Sequence, residues 1–139
     1  MTNSEKISSA AEARIESEFL LRDIEVWYPS AKTQHDLLAY FGGGYQQIQV
    51  KHARYREGKG VVDIHTTSWG SAGSEYEDRR DYSADEVDYF AGYCSELDRC
   101  FLVPFDDAGK ASIWIRVDDA KNSDSRINWA ADYEIDEVV

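Results

Sequence analysis

Three side chains in one short stretch have the types and spacing to run a hydrolysis. Asp36 is followed, after a Gly42-Gly43-Gly44 turn, by the run Ile48-Gln49-Val50-Lys51-His52. Asp36 offers hard carboxylate oxygens to a divalent cation. In a strand, side chains alternate between faces, so Gln49 and Lys51 point one way and Val50 the other, toward a core. Gln49 can add its amide oxygen to the same cation, and Lys51 can hold an attacking water or neutralise charge developing on a phosphate. By itself an acid, a Gln and a Lys in this order also fits a solvated β-hairpin. Because Gln49 is neutral, such a site calls for a further acid, and Glu12 is the candidate. Glu12 has a competing assignment as the third helical residue of a Ser9-Ala10-Ala11-Glu12 capping box.

The elements that must position these residues follow from periodicity and punctuation. The capping box predicts a helix from about Ser9 to Asp23 with an apolar stripe of Ala13, Ile15, Phe19 and Leu20. Residues 1–8 are expected to be disordered. Ile24 to Tyr28 is a short strand stopped by Pro29, and Asp36 to Phe41 a second strand, nearly all apolar after Asp36 and hence expected to be central. Tyr45 to Ala53 and Val61 to Thr66 are further strands, separated by the turn Glu57-Gly58-Lys59-Gly60. Thr67 to Tyr82 has no periodicity and is expected to be a mobile loop. Ser83 to Glu86 forms a second capping box opening a turn. Val87 to Cys94, Arg99 to Val103 and Ala111 to Val117 are strands, and Trp129 and Tyr133 are expected to pack back on the sheet.

Composition narrows the class. A chain of 139 residues with 42% hydrophobic residues is long enough for one domain with a real core. No apolar run nears the ~18 residues of a membrane span, and the polar start lacks an apolar signal segment, so a cytoplasmic location with no membrane partner is expected. Cys94 and Cys100 are expected to be free thiols rather than a disulfide, and no spacing suggests zinc. The formal net charge of −12 is unusual for a nucleic-acid binder. Either the chain binds no nucleic acid, or it comes from a salt-loving organism or its virus, where molar salt screens bare charge. The second reading is favoured, since Asp outnumbers Glu and only six of the fifteen basic residues are Lys. Against this background Arg54, Arg56 and Lys59 make a basic strip beside the proposed site, a DNA-facing edge or a solvated hairpin. Arg79 and Arg80 could clamp phosphates or pair with the acids beside them.

Most of the chain resembles the group I intron-associated PD-(D/E)xK endonucleases. The resemblance rests on Gln49-Val50-Lys51-His52-Ala53-Arg54-Tyr55, on Tyr82 through Phe90, on Tyr93 through Arg99 running into Leu102-Val103-Pro104, and on Ile127 through Tyr133. Gln in the acid position of the motif and a first-helix Glu, here Glu12, agree with that family. Where relatives have Tyr-Asp this chain has His35-Asp36, which leaves the register of Asp36 open. The resemblance implies an α/β restriction-endonuclease-like core (α-β-β-β-α-β), a mixed central sheet flanked by helices, as a single nuclease-like domain over 1–139. It implies a Mg²⁺-dependent endonuclease, with Mn²⁺ able to substitute, acting on double-stranded or branched DNA. Asp36, Gln49, Lys51 and Glu12 would be catalytic. The metal would sit on Asp36, Gln49, Glu12 and the Val50 carbonyl. One site per chain implies a homodimer or dimer of dimers for cutting both strands. Junction resolution, host defence, or DNA binding without cleavage are alternatives on the same fold.

Overall fold

The computed structural model describes residues 2–69, 79–109, 111–118 and 127–139. It opens with helix α1 (Asn3–Leu20), six residues before the expected Ser9 cap. Thr2 is the cap: its hydroxyl accepts from the Glu5 N–H, and the Glu5 carboxylate accepts from the Thr2 N–H. The helix therefore takes in residues 3–8, where disorder was expected. Its buried line is Ala11, Ile15 and Phe19, spaced by four, while Leu20 of the expected stripe is exposed. Glu12 lies in mid-helix, so no cap competes for its carboxylate. Asp23, with φ 59°, ends the helical turn and aims the chain into the sheet.

Eleven strands follow among the described residues: β1 (Val26–Trp27), β2 (Leu37–Phe41), β3 (Gly44–His52), β4 (Arg54–Arg56), β5 (Val61–His65), β6 (Thr67–Trp69), β7 (Arg79–Asp81), β8 (Tyr89–Cys94), β9 (Arg99–Pro104), β10 (Ser112–Arg116) and β11 (Asn128–Trp129). A short helix α2 (Ile135–Val138) ends the chain. The first sheet has the order β1-β2-β3-β8-β9, with β3 and β8 parallel and the other neighbours antiparallel, so it is mixed. Its centre is β3 rather than β2, which is backed on its outer side only by the two-residue β1. Gly42 and Gly43 both have positive φ, 63° and 81°, which a two-residue hairpin between Phe41 and Gly44 requires. The second sheet has the order β11-β10-β5-β4. The stretch expected to be a mobile loop begins and ends as the antiparallel pair β6–β7; its residues 70–78 lie outside the described part.

The layers follow from strand alternation. Ile48 and Val50 of β3, Ala91 of β8 and Leu102 of β9 meet Ala11, Ile15 and Phe19 of α1 and Ile135 of α2. The opposite face of the same sheet, through Phe90, Cys94, Phe101 and Val103, packs on Val62, Ile64, Ile113 and Ile115 of the second sheet. The expected fold class holds, but only one face of the mixed sheet carries helices; the other is covered by a sheet. Gly92 sits at this inter-sheet seam, where a Cβ would lie 2.7 Å from Ile64 Cδ1. Cys94 and Cys100 are free, as expected, and belong to opposite faces of the first sheet. Tyr133 packs into the inter-sheet core, whereas Trp129 stays 40% exposed. No helix among the described residues is long and apolar enough to cross a membrane.

Candidate active site

The site forms where β2 begins and β3 ends. Asp36 stands one residue before β2, and its N–H donates to the Ile48 carbonyl at 2.8 Å. One of its carboxylate oxygens, Oδ2, accepts from the Val50 N–H at 2.8 Å. Asp36 is thus stapled across Gln49 on β3. Burial pushes its carboxyl above the usual range, opposed by the Val50 N–H and by the positive charge of Lys51 and His35.

Glu12 reaches this point from the helix layer. Its pKa is raised, first by burial and second by the charge of Asp36. Glu12 therefore lies within the field of Asp36, whose charge opposes its ionisation. Asp36 feels Lys51 as well, so it is the hub between an acid from the helix side and a base from the far face of β3. Among the described residues no group of three His, Cys, Asp or Glu side chains gathers; the β3 residue across from Asp36 is the amide Gln49. The Gln49 side chain is half-buried and makes no hydrogen bond among the described residues. The two carboxylates and the Gln49 amide oxygen would make an all-oxygen donor set. Such a set fits Mg²⁺ or Mn²⁺ better than a softer ion.

Lys51 points away from the helix layer. Its Nζ donates to the Thr67 carbonyl at 3.2 Å and to the Tyr82 hydroxyl at 3.1 Å, and lies 5.0 Å from the Tyr82 ring centroid. These two partners were missed in the sequence. Thr67 opens β6 and Tyr82 follows β7, so pairing of those strands closes both onto the lysine. Tyr82 is buried and packs edge-on against Phe90 in the inter-sheet core, which fixes its hydroxyl. Nothing local marks Tyr82; only the long-range pairing does. His52 faces away and bonds Ser95.

The basic strip is present on the second sheet. Arg54 is exposed, Arg56 donates to Oδ2 of the buried Asp63 at 3.0 and 3.3 Å, and the Lys59 amine lies 4.9 Å from the Trp114 ring centroid. The backbone of Arg79 and Arg80 runs in β7, but their side chains lie outside the described part.

With this geometry established, comparison with known proteins is informative. A family model described as PD-(D/E)XK endonuclease matches residues 2–136. No curated protein matches the chain. Among solved structures, a bacterial homing endonuclease, I-Ssp6803I, superposes with a TM-score of 0.76 over 96% of this chain and 89% of that one, at 18% identity. At that identity the likeness is one of fold.

Proposed function

The chain belongs to the PD-(D/E)XK endonuclease family, and from that premise we propose that it is a divalent-metal-dependent nuclease that hydrolyses DNA phosphodiester bonds, with Mg²⁺ the working ion and Mn²⁺ able to replace it. The observation that carries this reading is Asp36, held on the Val50 N–H and coupled at once to Glu12 and to Lys51. Asp36, Glu12, the Gln49 amide oxygen and the Val50 carbonyl would hold the cation, which supplies Lewis acidity and a more acidic bound water. Asp36 and Glu12 orient the reacting phosphate through that shared position. Lys51, steered by Thr67 and Tyr82, places positive charge where the phosphate gains negative charge during in-line attack by water. The attacking water gives its proton to solvent or to a phosphate oxygen. The leaving 3′ oxygen takes one in return. Arg54, Arg56, Lys59, Arg79 and Arg80 would contact the DNA backbone.

The finer reading is a homing-type enzyme borne by a group I intron or a virus of a salt-loving host. It would act as a homodimer or dimer of dimers, so that two sites address the two strands. Resolution of branched DNA or host defence would use the same site with different loops. The net charge of −12 and Gln49 favour a second reading, a DNA-binding protein without cleavage. The test is incubation of supercoiled plasmid in molar KCl with Mg²⁺, Mn²⁺ or EDTA, comparing the native chain with Lys51→Ala. Metal-dependent nicking that disappears in Lys51→Ala supports the nuclease. Absence of cutting on plasmid, junction and single-stranded DNA at every salt leaves the binding protein.

A further inference from the structure

Several arginines of this acidic chain are neutralised by neighbours. Arg14 pairs with Glu18 and Asp98, Arg22 with Glu18 and Asp136, and Arg99 with Glu134. The outer face of the second sheet is different. Ile113 and Ile115 of β10 point into the inter-sheet core, so Trp114 and Arg116 point outward. Trp129 of β11 is the parallel partner of Arg116 and shares that face. On β5, Val62 and Ile64 point inward and Asp63 outward, opposite Arg54. One sheet face therefore collects Arg54, Arg56, Lys59 and Arg116 with two exposed indoles, Trp114 at 44% and Trp129 at 40%.

These cations are held in place without being cancelled. The Lys59 amine rests on the Trp114 ring, and Arg116 donates to the Lys59 carbonyl at 2.9 Å, tying down the turn that carries Lys59. Among the described residues, neither of them, nor Arg54, has a carboxylate partner. Only Arg56 is paired, with Asp63, which is buried beneath it and keeps one oxygen, Oδ1, without a hydrogen-bond partner. Exposed acids flank this face, Glu57 in the turn before β5, Asp118 just past β10, and Asp107 and Asp132 beside Arg116, but none pairs with the three cations. An acidic chain that fixes three uncancelled cations and two indoles on one sheet face has built a surface for a polyanion.

Resting on the nuclease reading, we propose that the outer face of the β11-β10-β5-β4 sheet is a docking platform for the sugar-phosphate backbone of duplex DNA flanking the cut. In this platform Trp114 and Arg116 are the organising residues. The face looks away from the first sheet but is joined to the active site through the chain itself. β5 runs into Thr67, whose carbonyl holds Lys51, and Arg54 and Arg56 lie opposite Asp63 and Val61. Arg54 and Arg56 follow Lys51 by three and five residues, so at about 3.6 Å per residue they lie within roughly 11 and 18 Å of it along the chain. On a duplex rising about 3.4 Å per base pair, that is within roughly three to five base pairs of the scissile phosphate.

The test measures duplex binding by the full chain across a KCl series, with Ca²⁺ in place of Mg²⁺ to hold back cleavage. The comparison is between the native protein, Arg116→Gln, Trp114→Ala and, as control, the carboxylate-paired Arg22→Gln. Arg116→Gln and Trp114→Ala are expected to weaken binding about 5- to 10-fold, and Arg116→Gln to lower the salt slope by about 1. In Mg²⁺ the loss falls on KM rather than kcat. Arg22→Gln binds as the native chain does. Native binding with both face variants indistinguishable from it overturns the platform and leaves the nuclease reading intact. Variants that change the oligomer mass instead of duplex affinity overturn it in favour of a contact between copies. A native chain that binds no duplex at any salt overturns both.

Discussion

Glu12 and Asp36 are expected to work against the stability of the cation-free protein. Both have folded-state pKa values above the ordinary 4.5 and 3.8, from burial and, for Glu12, from the Asp36 charge. For an acid with a raised folded pKa, the folded state holds its proton more tightly than the unfolded state does. Stability then falls as pH rises through the window between the ordinary and folded values, and the full penalty is present above that window. Replacing the carboxyl by an amide of the same shape removes the penalty; Asn at 36 can still accept from the Val50 N–H. Asp36→Asn is expected to raise stability at pH 7 by about 1 kcal/mol, and Glu12→Gln, which is less buried, by less. For a chain this long, 1 kcal/mol moves Tm by about 4 °C. At pH 3, where the native carboxyls are already protonated, the gain should vanish. Mg²⁺ should reverse the ranking. At a hundred times its Kd a ligand adds about 2.7 kcal/mol to the native chain, and much less to variants that have lost a ligand. Thermal melts in EDTA and in Mg²⁺, at pH 3 and pH 7, read all of this directly. Amide variants that melt below the native chain at pH 7 in EDTA would refute the argument that these two acids form a strained pair. So would a native chain that Mg²⁺ does not stabilise.

Other outcomes follow from the same geometry. Tyr82→Phe keeps the ring beneath the Lys51 amine but deletes the hydroxyl 3.1 Å from it, so kcat should fall about 10-fold with KM and Tm little changed; an equal loss in KM would assign Tyr82 to substrate binding instead. Gly92→Ala places a methyl 2.7 Å from Ile64 Cδ1 and should cost about 2 kcal/mol in urea unfolding. Ile64→Val removes that very atom, so the double variant should be more stable than the sum of the two single losses, and strict additivity would disprove the clash. Asp63→Ala leaves Arg56 without its buried partner and should destabilise the fold by about 2 kcal/mol, read in the same unfolding assay.

The motif was legible because it is local. Alternation within β3 fixes which residues share a face, and three glycines force the hairpin that returns the chain beside Asp36. The start of α1 was misread for an instructive reason. Thr2 to Glu5 and Ser9 to Glu12 are both capping-box sequences, and nothing between them breaks a helix. Once the upstream box closes, propagation through Asn3 to Ser8 adds a backbone bond per residue. That choice moved Glu12 from a cap to mid-helix and freed it for the site. The outer cover of the mixed sheet was not legible, since strands of a packed second sheet read like any other apolar strands. Thr67 and Tyr82 were hidden for a related reason. They meet Lys51 only because β6 and β7 pair across residues that carry no periodic signal.

The remaining puzzle, an acidic chain on an acidic substrate, yields to the way the charges are sorted. Arginines cancelled by exposed acids lie on the helix side and at the chain's end, where Arg22 meets Asp136 and Arg99 meets Glu134. The uncancelled cations lie on the outer sheet face. At long range a duplex meets the net charge of −12 and is repelled. At contact it meets the cationic face and is held. Salt acts on the two ranges differently, because the screening length shrinks from about 14 Å at 0.05 M to about 3 Å at 1 M. Repulsion across the whole molecule is screened first, whereas contacts of a few ångströms persist longer. The association rate should therefore rise with KCl at the low end and decline at the high end, while the dissociation rate rises throughout. Stopped-flow mixing with a labelled duplex, from 0.05 to 1 M KCl, would show this. An association rate that falls steadily from the lowest salt would mean that the cationic face already dominates at long range, and that sorting of charge is not what lets this chain approach DNA.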